Sequence, residues 1–258
     1  MPGVGEFLSG VAQSEQTSNG GYICTAGLEI FERAPHNRAS IDHIIHDCDA
    51  CPLNNVAQLA SGSKYVRAAL GLHPELVHSH RHELEQFRRY LPQTRHIGEV
   101  GLDYTTPDKD IRQEQRRILA TIAGWADGSE DKVLTVHFRR AAGDVLNVLN
   151  GIKARKILHW FSGTYKELDR AIAEGYFFSI NGAMMWSAKG RALASRIPQD
   201  HALTETDGPF AKNGDSPATP AVVKLTIALV AELWAVPVEQ AQATVLENFR
   251  TLLVGKPL

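Results

Sequence analysis

Short apolar stretches alternate with longer amphipathic ones along most of the chain. Six such units follow one another between residues 64 and 255, and the apolar stretches carry Gly, His, Glu or Asp near their ends. A short apolar run between turn residues predicts a buried strand, and a long amphipathic stretch predicts a helix. The apolar stretches are KYVRAALGLHPE (64–75), RHIGEVGLDY (95–104), KVLTVHFRRA (132–141), RKILHWFSG (155–163), GYFFSING (175–182) and DHALTETDGPF (200–210).

Helical periodicity is clearest in two of the amphipathic stretches. In KDIRQEQRRILATIAGWA (109–126), apolar residues recur every three or four positions with charges between them, which predicts an amphipathic helix. The last stretch, residues 219–253, predicts a helix, a break near Pro237 and a second helix that covers the barrel wall.

Strand and helix units in series predict an α/β fold with a parallel sheet, and their number favours a closed (β/α)8 TIM-like barrel over an open sheet. Such a barrel needs two more units upstream. Residues 1–56 do not show them clearly, so we expect an irregular or incomplete N-terminal region. The predicted organisation is an atypical segment at 1–56 and a barrel at 57–258, together forming a single domain.

Composition narrows the classes of protein. The 258 residues are 43% apolar and include 27 basic and 29 acidic residues, so the chain is not a basic protein that coats nucleic acid. No run of 18 apolar residues and no secretory leader pattern occur, which predicts a cytoplasmic protein without a membrane partner. The three cysteines are too few and too clustered for a disulfide framework.

Four residues with metal-binding side chains stand at the carboxyl ends of separate predicted strands: Glu99, His137, His159 and Asp207. A single histidine at a strand end more often packs in the core. The carboxyl ends of barrel strands meet at one mouth, so we expect the four side chains to converge. Imidazole nitrogens and carboxylate oxygens bind divalent ions such as Mg²⁺, Mn²⁺ or Zn²⁺. One or two such ions would also explain a buried, otherwise unpaired Glu99, which would cost several kcal/mol to desolvate.

The motifs at these strand ends carry a family resemblance. GEVGLDY, VHFRRA, ILHWFSG and TETDGPF, in this order and at this spacing, resemble the motifs of the TatD family of metal-dependent nucleases, a branch of the amidohydrolase-like barrels. The resemblance runs from about residue 64 to the C-terminus. LHWFSG, TETDGPF and ALGLHPE resemble most closely the TatD-like member of the Qat antiphage defence systems.

The resemblance implies a function and roles for the four residues. It implies metal-dependent hydrolysis of phosphodiester bonds in nucleic acid, DNA above all, at single strands or ends, with defence-system proteins as possible partners. Glu99 would bind or bridge the metal ions, and His137 and His159 would be ligands. Asp207 would bind metal and take the proton from the attacking water.

The resemblance also implies a surrounding set of residues. Asp103 and Glu205 would support the metal ligands, while His73 and Ser162 would lie near the substrate phosphate.

For several residues the sequence leaves two interpretations open. Arg139 and Arg140 are candidates for gripping phosphate, since a guanidinium matches its oxygens; equally, they are solvated residues that open a helix. Asp103 supports the site or only caps the following helix. Trp160 and Phe161 stack on bases or pack in the core.

The N-terminal segment departs from the family pattern. TatD proteins begin with a strand that carries His-x-His, whereas here no histidine precedes His36 and no His-x-His precedes HSHRH at 78–82. IDHIIHDCDAC (41–51) holds two histidines three apart, which cannot converge on a strand; its H-x2-H-x-C-x2-C pattern suggests zinc, but no second cluster completes a closed site. Two hypotheses remain: a frame change or misassigned start upstream, and a divergent member with a depleted metal site.

Three functions therefore remain open. The first is an active TatD-like nuclease, a deoxyribonuclease or exonuclease with unusual metal ligation. The second is a metal-depleted barrel that acts as a binding or complex component. The third is a related metal hydrolase of amides or esters, because the same fold supports several reactions.

Overall fold

The structure is a computed structural model, and it describes residues 23–24, 29–33, 39–47, 66–128 and 131–254. Its main sheet contains strands β1 (Ile23–Cys24), β2 (Glu29–Arg33), β3 (Ala39–Asp47), β4 (Val66–Leu70), β5 (His96–Asp103), β6 (Val133–Arg139), β7 (Arg155–Leu158), β8 (Phe177–Ile180) and β9 (Ala202–Thr204). A small hairpin follows, formed by β10 (Lys212–Asn213) and β11 (Ser216–Pro217).

Helices follow the strands along the chain. The α-helices are α1 (Val77–His80), α2 (Leu84–Tyr90), α3 (Lys109–Asp127), α4 (Ala142–Val148), α5 (Tyr165–Ala173), α6 (Gly182–Trp186), α7 (Ala188–Ala194), α8 (Val223–Trp234) and α9 (Val238–Val254). Short 3-10 turns lie at Pro74–Leu76, Arg81–Glu83, Leu91–Gln93, Gln199–His201 and Pro220–Val222.

The six predicted strands are confirmed, and they pair side by side in chain order from β4 to β9, all parallel. They form a curled half of an α/β barrel, as the alternation of strands and helices predicted. β3 extends this parallel run by pairing with β4, and β1 and β2 pair with β3 in the antiparallel direction. All carboxyl ends of the parallel strands therefore lie at one edge.

The centre of the sheet is distorted where β5 meets β6. Their register shifts between Ile97 and Val100, which is the kind of bulge that redirects a side chain. Beyond it, Gly101 pairs with His137 at such close range that a Cβ atom on Gly101 would lie 1.9 Å from the His137 carbonyl oxygen. A side chain at this position would force the two strands apart.

The predicted helices cover the sheet. α3 begins after the N-cap Asp108, and it buries Ile118, Leu119 and Ile122 in the main core. The predicted break near Pro237 is confirmed: α8 ends where Ala235 adopts a left-handed φ of 53°, and α9 follows.

The amino-terminal side of the sheet is closed by the last helix. Val245, Phe249 and Leu252 of α9 pack against apolar residues of five strands, including Val133 and Phe177 at the starts of β6 and β8. At the opposite edge of the sheet, the carboxyl ends of the strands carry polar side chains, such as those of Asp103 and Arg139. Among the described residues, no single helix is long and apolar enough to cross a membrane. The consecutive segments Pro220–Trp234 and Val238–Val254 reach that length and apolar composition only when taken together, and the chain bends by 105° between them.

Several predictions for the N-terminal segment lie outside the described residues. These include the missing His-x-His strand near the start, the cysteine part of the zinc pattern at Cys48 and Cys51, and the boundary near residue 56. His43 and His46 lie on β3, but their side chains are likewise outside the described part of the chain.

Candidate metal centre

Glu99 lies at the middle of a polar cluster in an otherwise apolar interior. Its side chain is 2% exposed, and its carboxylate lies 3.4 Å from His137 Nδ1, 3.9 Å from His73 Nε2 and 4.0 Å from His159 Nε2. The prediction that Glu99 stands at the end of its strand is wrong: it lies within β5, at the register shift between Ile97 and Val100, and its side chain lines the cavity at the mouth. The structure thus gives this buried carboxylate three imidazole neighbours from three other chain segments.

His159 follows β7 directly and lies between two carboxylates. Its Nε2 is 3.1 Å from Asp207 Oδ1, on the side of Glu99, and its Nδ1 is 2.5 Å from Glu205 Oε2. Asp207 follows β9 with a left-handed φ of 53°, a conformation that aspartate adopts more readily than most residues. One nitrogen of His159 therefore faces the centre of the cluster, and the other is held from outside.

His137, on β6, repeats this arrangement. Its Nδ1 faces Glu99, and its Nε2 contacts Asp103 Oδ2 at 3.1 Å. Asp103 in turn accepts hydrogen bonds from the backbone N–H and the hydroxyl of Thr105. The helix-capping interpretation of Asp103 is wrong, because the N-cap of α3 is Asp108. Asp103 instead orients an imidazole.

The pKa values reflect this packing. Burial alone would lower the pKa of His137, but its hydrogen bonds to Asp103 and Glu99 raise that pKa to about 8. Burial likewise opposes protonation of His159, yet Glu205 and Glu99 hold the pKa of His159 well above its ordinary value. For Glu99, burial favours the neutral acid, and the attraction of His159 and the hydrogen bond from His137 reverse this, so its pKa is lowered.

His73 differs from the other two histidines. Its Nδ1 accepts a hydrogen bond from the backbone N–H of Glu75 at 3.3 Å, and its Nε2 points into the cluster, 3.3 Å from His137 Nδ1. Burial and the neighbouring His137 lower the pKa of His73 to about 4, so the ring is neutral at neutral pH. A neutral ring that accepts at Nδ1 carries its proton at Nε2, and His73 therefore presents a hydrogen-bond donor to the cluster.

The cluster forms the floor of a cavity of about 730 Å³. The sequence-predicted residues that line it are His73, Glu99, Arg139, His137, His159, Ser162 and Asp207, whereas Asp103 and Glu205 lie behind the histidines. The structure thus brings all nine of these residues to one region. Trp160 also lines this cavity, and Phe161 is buried against Phe138 and Phe178 instead.

Phe210 is a cavity residue that the sequence pattern did not single out. It lines the mouth and is 64% exposed, although it stands only three residues after Asp207 in TETDGPF. An exposed large aromatic residue beside a polar cluster is unusual enough to suggest contact with a ligand. Only its exposure distinguishes it from Phe161, and exposure is not readable from the local sequence.

The donor set fits divalent cations. Two groups of side chains place ligand atoms within 4.8 Å of one another: His73, Glu99 and His137 in one, and Glu99, His159 and Asp207 in the other. Glu99 belongs to both groups. In His137 and His159 the outer nitrogen contacts a carboxylate, an arrangement that leaves the inner nitrogen free to bind metal.

Glu205 offers a test of this support. Its Oε2 contacts His159 and accepts from Ser179, and its Oε1 accepts from Asn181 Nδ2 at 2.8 Å. In Glu205→Gln the side-chain NH₂ replaces one carboxylate oxygen, so it faces a group that also donates, and the negative charge beside His159 is lost. We therefore expect Mn²⁺ affinity to fall about 10- to 100-fold. Isothermal titration measures this, with the surface variant Glu174→Gln as the control. Unchanged affinity in Glu205→Gln would contradict the assignment.

Comparisons with known proteins show the family of the chain. The model of the family described as TatD related DNase matches residues 11–254. A 3'-5' ssDNA/RNA exonuclease TatD from Erwinia tasmaniensis is 33% identical over 156 residues, 57% of this chain and 59% of that protein. A putative deoxyribonuclease TATDN1 homolog from Vairimorpha ceranae is 29% identical over 116 residues, 45% of this chain and 43% of that protein. The chain therefore matches about half the length of these two relatives.

A solved structure matches over a larger share. The crystal structure of YJJV, a TatD homolog from Escherichia coli, superimposes with a TM-score of 0.68 at 25% identity, and the match covers 81% of this chain and 85% of that one. The same protein appears among the sequence relatives as an uncharacterized metal-dependent hydrolase, 26% identical over 217 residues. Because the family model covers nearly the whole sequence, this chain belongs to the family of TatD related DNases.

Proposed function

We propose that the chain is a metal-dependent phosphodiesterase that hydrolyses single-stranded nucleic acid, DNA above all. The observation that carries this proposal is the pair of His137 and His159, each held by an outer carboxylate and each facing Glu99 on the floor of an open cavity. The relatives named as deoxyribonuclease and as ssDNA/RNA exonuclease support the substrate class.

Four side chains would hold one or two divalent cations: Glu99, His137, His159 and Asp207. Mg²⁺, Mn²⁺ and Zn²⁺ all accept such mixed nitrogen and oxygen ligands. A bound divalent ion supplies Lewis acidity and offsets the negative charge that develops on the phosphoryl oxygens. The cluster holds four carboxyl groups, Glu99, Asp103, Glu205 and Asp207, and a bound divalent ion would take the place of the protons on the inner nitrogens of His137 and His159.

Asp207 is the residue placed to move a proton. Burial raises its pKa against the opposing hydrogen bond from His159, and a raised pKa makes a carboxylate a stronger base near neutral pH. Its Oδ1 is engaged by His159. Its Oδ2 is the atom that would accept the proton of the attacking water.

Two groups at the cavity would bind the scissile phosphate. His73 directs its Nε2–H into the cavity, where a phosphoryl oxygen would accept it. Arg139 is exposed and lines the same cavity, and a guanidinium fork matches two phosphate oxygens. These groups favour a phosphodiester over an amide, whose single carbonyl oxygen offers the fork no second acceptor.

The aromatic residues at the mouth favour an unpaired strand. Phe210 is exposed at the rim and Trp160 is partly exposed beside His159. Base stacking on such side chains contributes about 1–3 kcal/mol per base and requires a base that is not already stacked in a duplex.

The proposal extends to the setting in which the protein acts. ALGLHPE, LHWFSG and TETDGPF resemble the TatD-like member of the Qat antiphage defence systems, so we propose an antiphage role, in the cytoplasm and with defence-system proteins as partners. Co-purification of the full chain with the products of neighbouring genes tests this part separately.

Metal removal tests the activity itself. Protein stripped with EDTA is expected to show no turnover of a labelled single-stranded oligonucleotide, and Mg²⁺, Mn²⁺ or Zn²⁺ is expected to restore it, because Glu99 and its histidines need the cation to act on phosphate. His159→Ala controls for contaminating nucleases, and His82→Ala is the matched exposed histidine. Turnover of a p-nitroanilide or simple ester, with none of the oligonucleotide, would show instead an amide or ester hydrolase.

A further inference from the structure

A second cavity adjoins the metal-site cavity. It has a volume of about 450 Å³, and Phe138 and Ser162 line both cavities. Its walls come from the segment after β6 and from the segment after β7, the same two strands that carry His137 and His159. The second cavity is therefore a lateral continuation of the mouth.

Two cationic side chains line this second cavity. Arg140 is exposed, and its guanidinium has no partner among the residues that the structure describes. Lys189 is exposed and donates from Nζ to the Ser162 carbonyl oxygen at 2.9 Å, which holds its ammonium at the boundary between the two cavities. Other described arginines, such as Arg116 and Arg196, are engaged by carboxylates.

The acidic residues of the second cavity are engaged elsewhere. Asp144 accepts from the Tyr104 hydroxyl at 2.6 Å and from Arg116 at 3.1 Å. Glu167 accepts from the backbone N–H and the hydroxyl of Thr164 in the capping box of α5. Asp144 is thus paired with Arg116, and Glu167 is hydrogen-bonded to Thr164. Arg140 and Lys189 are the charged groups of this cavity that can bind an anion.

Consecutive residues serve the two cavities. Arg139 lines the metal-site cavity and Arg140 lines the second one, and adjacent Cα atoms are only about 3.8 Å apart. Arg140 has a left-handed φ of 56°, which bends the chain after β6 so that the two side chains separate. The two guanidiniums are therefore placed for two neighbouring phosphates on one strand.

We propose that the second cavity binds the nucleotide next to the scissile bond, with Arg140 and Lys189 holding its backbone phosphate. This inference rests on the proposed nuclease function and names its substrate: a polynucleotide strand that fills both cavities, and not a lone phosphodiester. The cavity accordingly contributes to the binding of the strand and not to the chemical step.

The test compares substrates that do and do not reach the second cavity. Arg140→Ala and Lys189→Ala are each expected to raise KM for a short single-stranded oligothymidylate about tenfold, since each removes a charge-assisted contact to phosphate. Turnover of bis(p-nitrophenyl) phosphate, which fills only the metal-site cavity, is expected to stay unchanged. Arg89→Ala and Lys166→Ala, exposed residues outside both cavities, are the matched controls.

Binding measured without turnover separates this inference from the proposed function. Fluorescence anisotropy of the labelled oligothymidylate in EDTA is expected to show the same tenfold loss of affinity in the two variants. Each lost cation is expected to reduce the slope of log K against log salt concentration by about 0.7. If the variants show this loss and the wild type shows no turnover when metal is added, the second cavity binds the strand and the nuclease function is refuted. Equal losses for both substrates, no loss at all, or inorganic phosphate bound as tightly as the oligothymidylate would overturn the inference.

Discussion

Asp207→Asn is expected to lower kcat on single-stranded DNA by about 10²- to 10⁴-fold, the usual contribution of a general base. Asparagine keeps the shape of the side chain and an oxygen for His159, which lies 3.1 Å from Asp207 Oδ1, but it accepts no proton from water. The measurement is single-turnover hydrolysis of a labelled oligonucleotide at saturating metal. Asp215→Asn, on the exposed turn between β10 and β11, is the matched control.

The same variant should leave the fold intact. The pKa of Asp207 is raised by burial, and a carboxyl group with a raised folded-state pKa loses its contribution to stability as the pH rises above its unfolded pKa. The neutral amide avoids this loss, so the metal-free variant is expected to unfold at neutral pH with a Tm equal to or above that of the wild type. Full activity in Asp207→Asn would remove Asp207 from the proposed role; lost activity with a lowered Tm would point to a structural defect.

Glu99→Gln is expected to abolish both metal binding and hydrolysis. Glu99 belongs to both groups of candidate ligands, so its loss weakens both positions at once, and glutamine provides no charge to a divalent ion. Mn²⁺ binding followed by titration calorimetry or electron paramagnetic resonance measures this independently of activity. Glu114→Gln, at the partly exposed Glu114–Arg117 pair on α3, controls for the loss of a carboxylate. Binding of Mn²⁺ by Glu99→Gln as tightly as by the wild type would exclude Glu99 as a shared ligand.

Glu99→Gln should also destabilise the metal-free protein, in contrast to Asp207→Asn. The pKa of Glu99 is lowered, so its carboxylate stabilises the fold above its unfolded pKa, and this contribution is lost as the pH falls through the folded-state value. Breaking a buried charge pair typically costs roughly 3–5 kcal/mol, and the cost here lies toward the lower end because His137 can release its proton. Equilibrium unfolding at neutral pH is expected to show this difference, and the gap between variant and wild type should narrow in strong acid.

The position of the polar residues at one edge of the sheet is the part of the site that could be predicted from the sequence. The apolar runs located β4 to β9, six of the seven parallel strands that the structure describes, and missed β3. The order of strands in a parallel α/β fold places Glu99, His137 and His159 toward one edge. This worked because burial on both faces makes such strands continuous apolar runs, whose polar ends stand out. The register shift beside Glu99 was not predictable, because it depends on the pairing of two strands and not on either one.

Side-chain partners were harder to predict than positions. The sequence left Asp103 as either a helix cap or a support, and only the 3.1 Å contact with His137 Nε2 together with the N-cap at Asp108 decided between them. Phe161 and Phe210 look alike as sequence, yet one is buried and the other is 64% exposed. Such differences arise from neighbours distant in the chain, which local patterns do not record.

The sequence by itself determined the fold class, the family motifs and the four candidate ligands, since each follows from residue type and from strand periodicity along one chain. The tertiary structure alone decided which nitrogen of each histidine faces Glu99, that the Glu75 backbone N–H donates to His73 Nδ1, and that Arg139 and Arg140 line two different cavities. Each of these depends on hydrogen bonds and burial set by segments far apart in sequence. The orientations of these side chains are fixed only when those segments pack together in the folded protein.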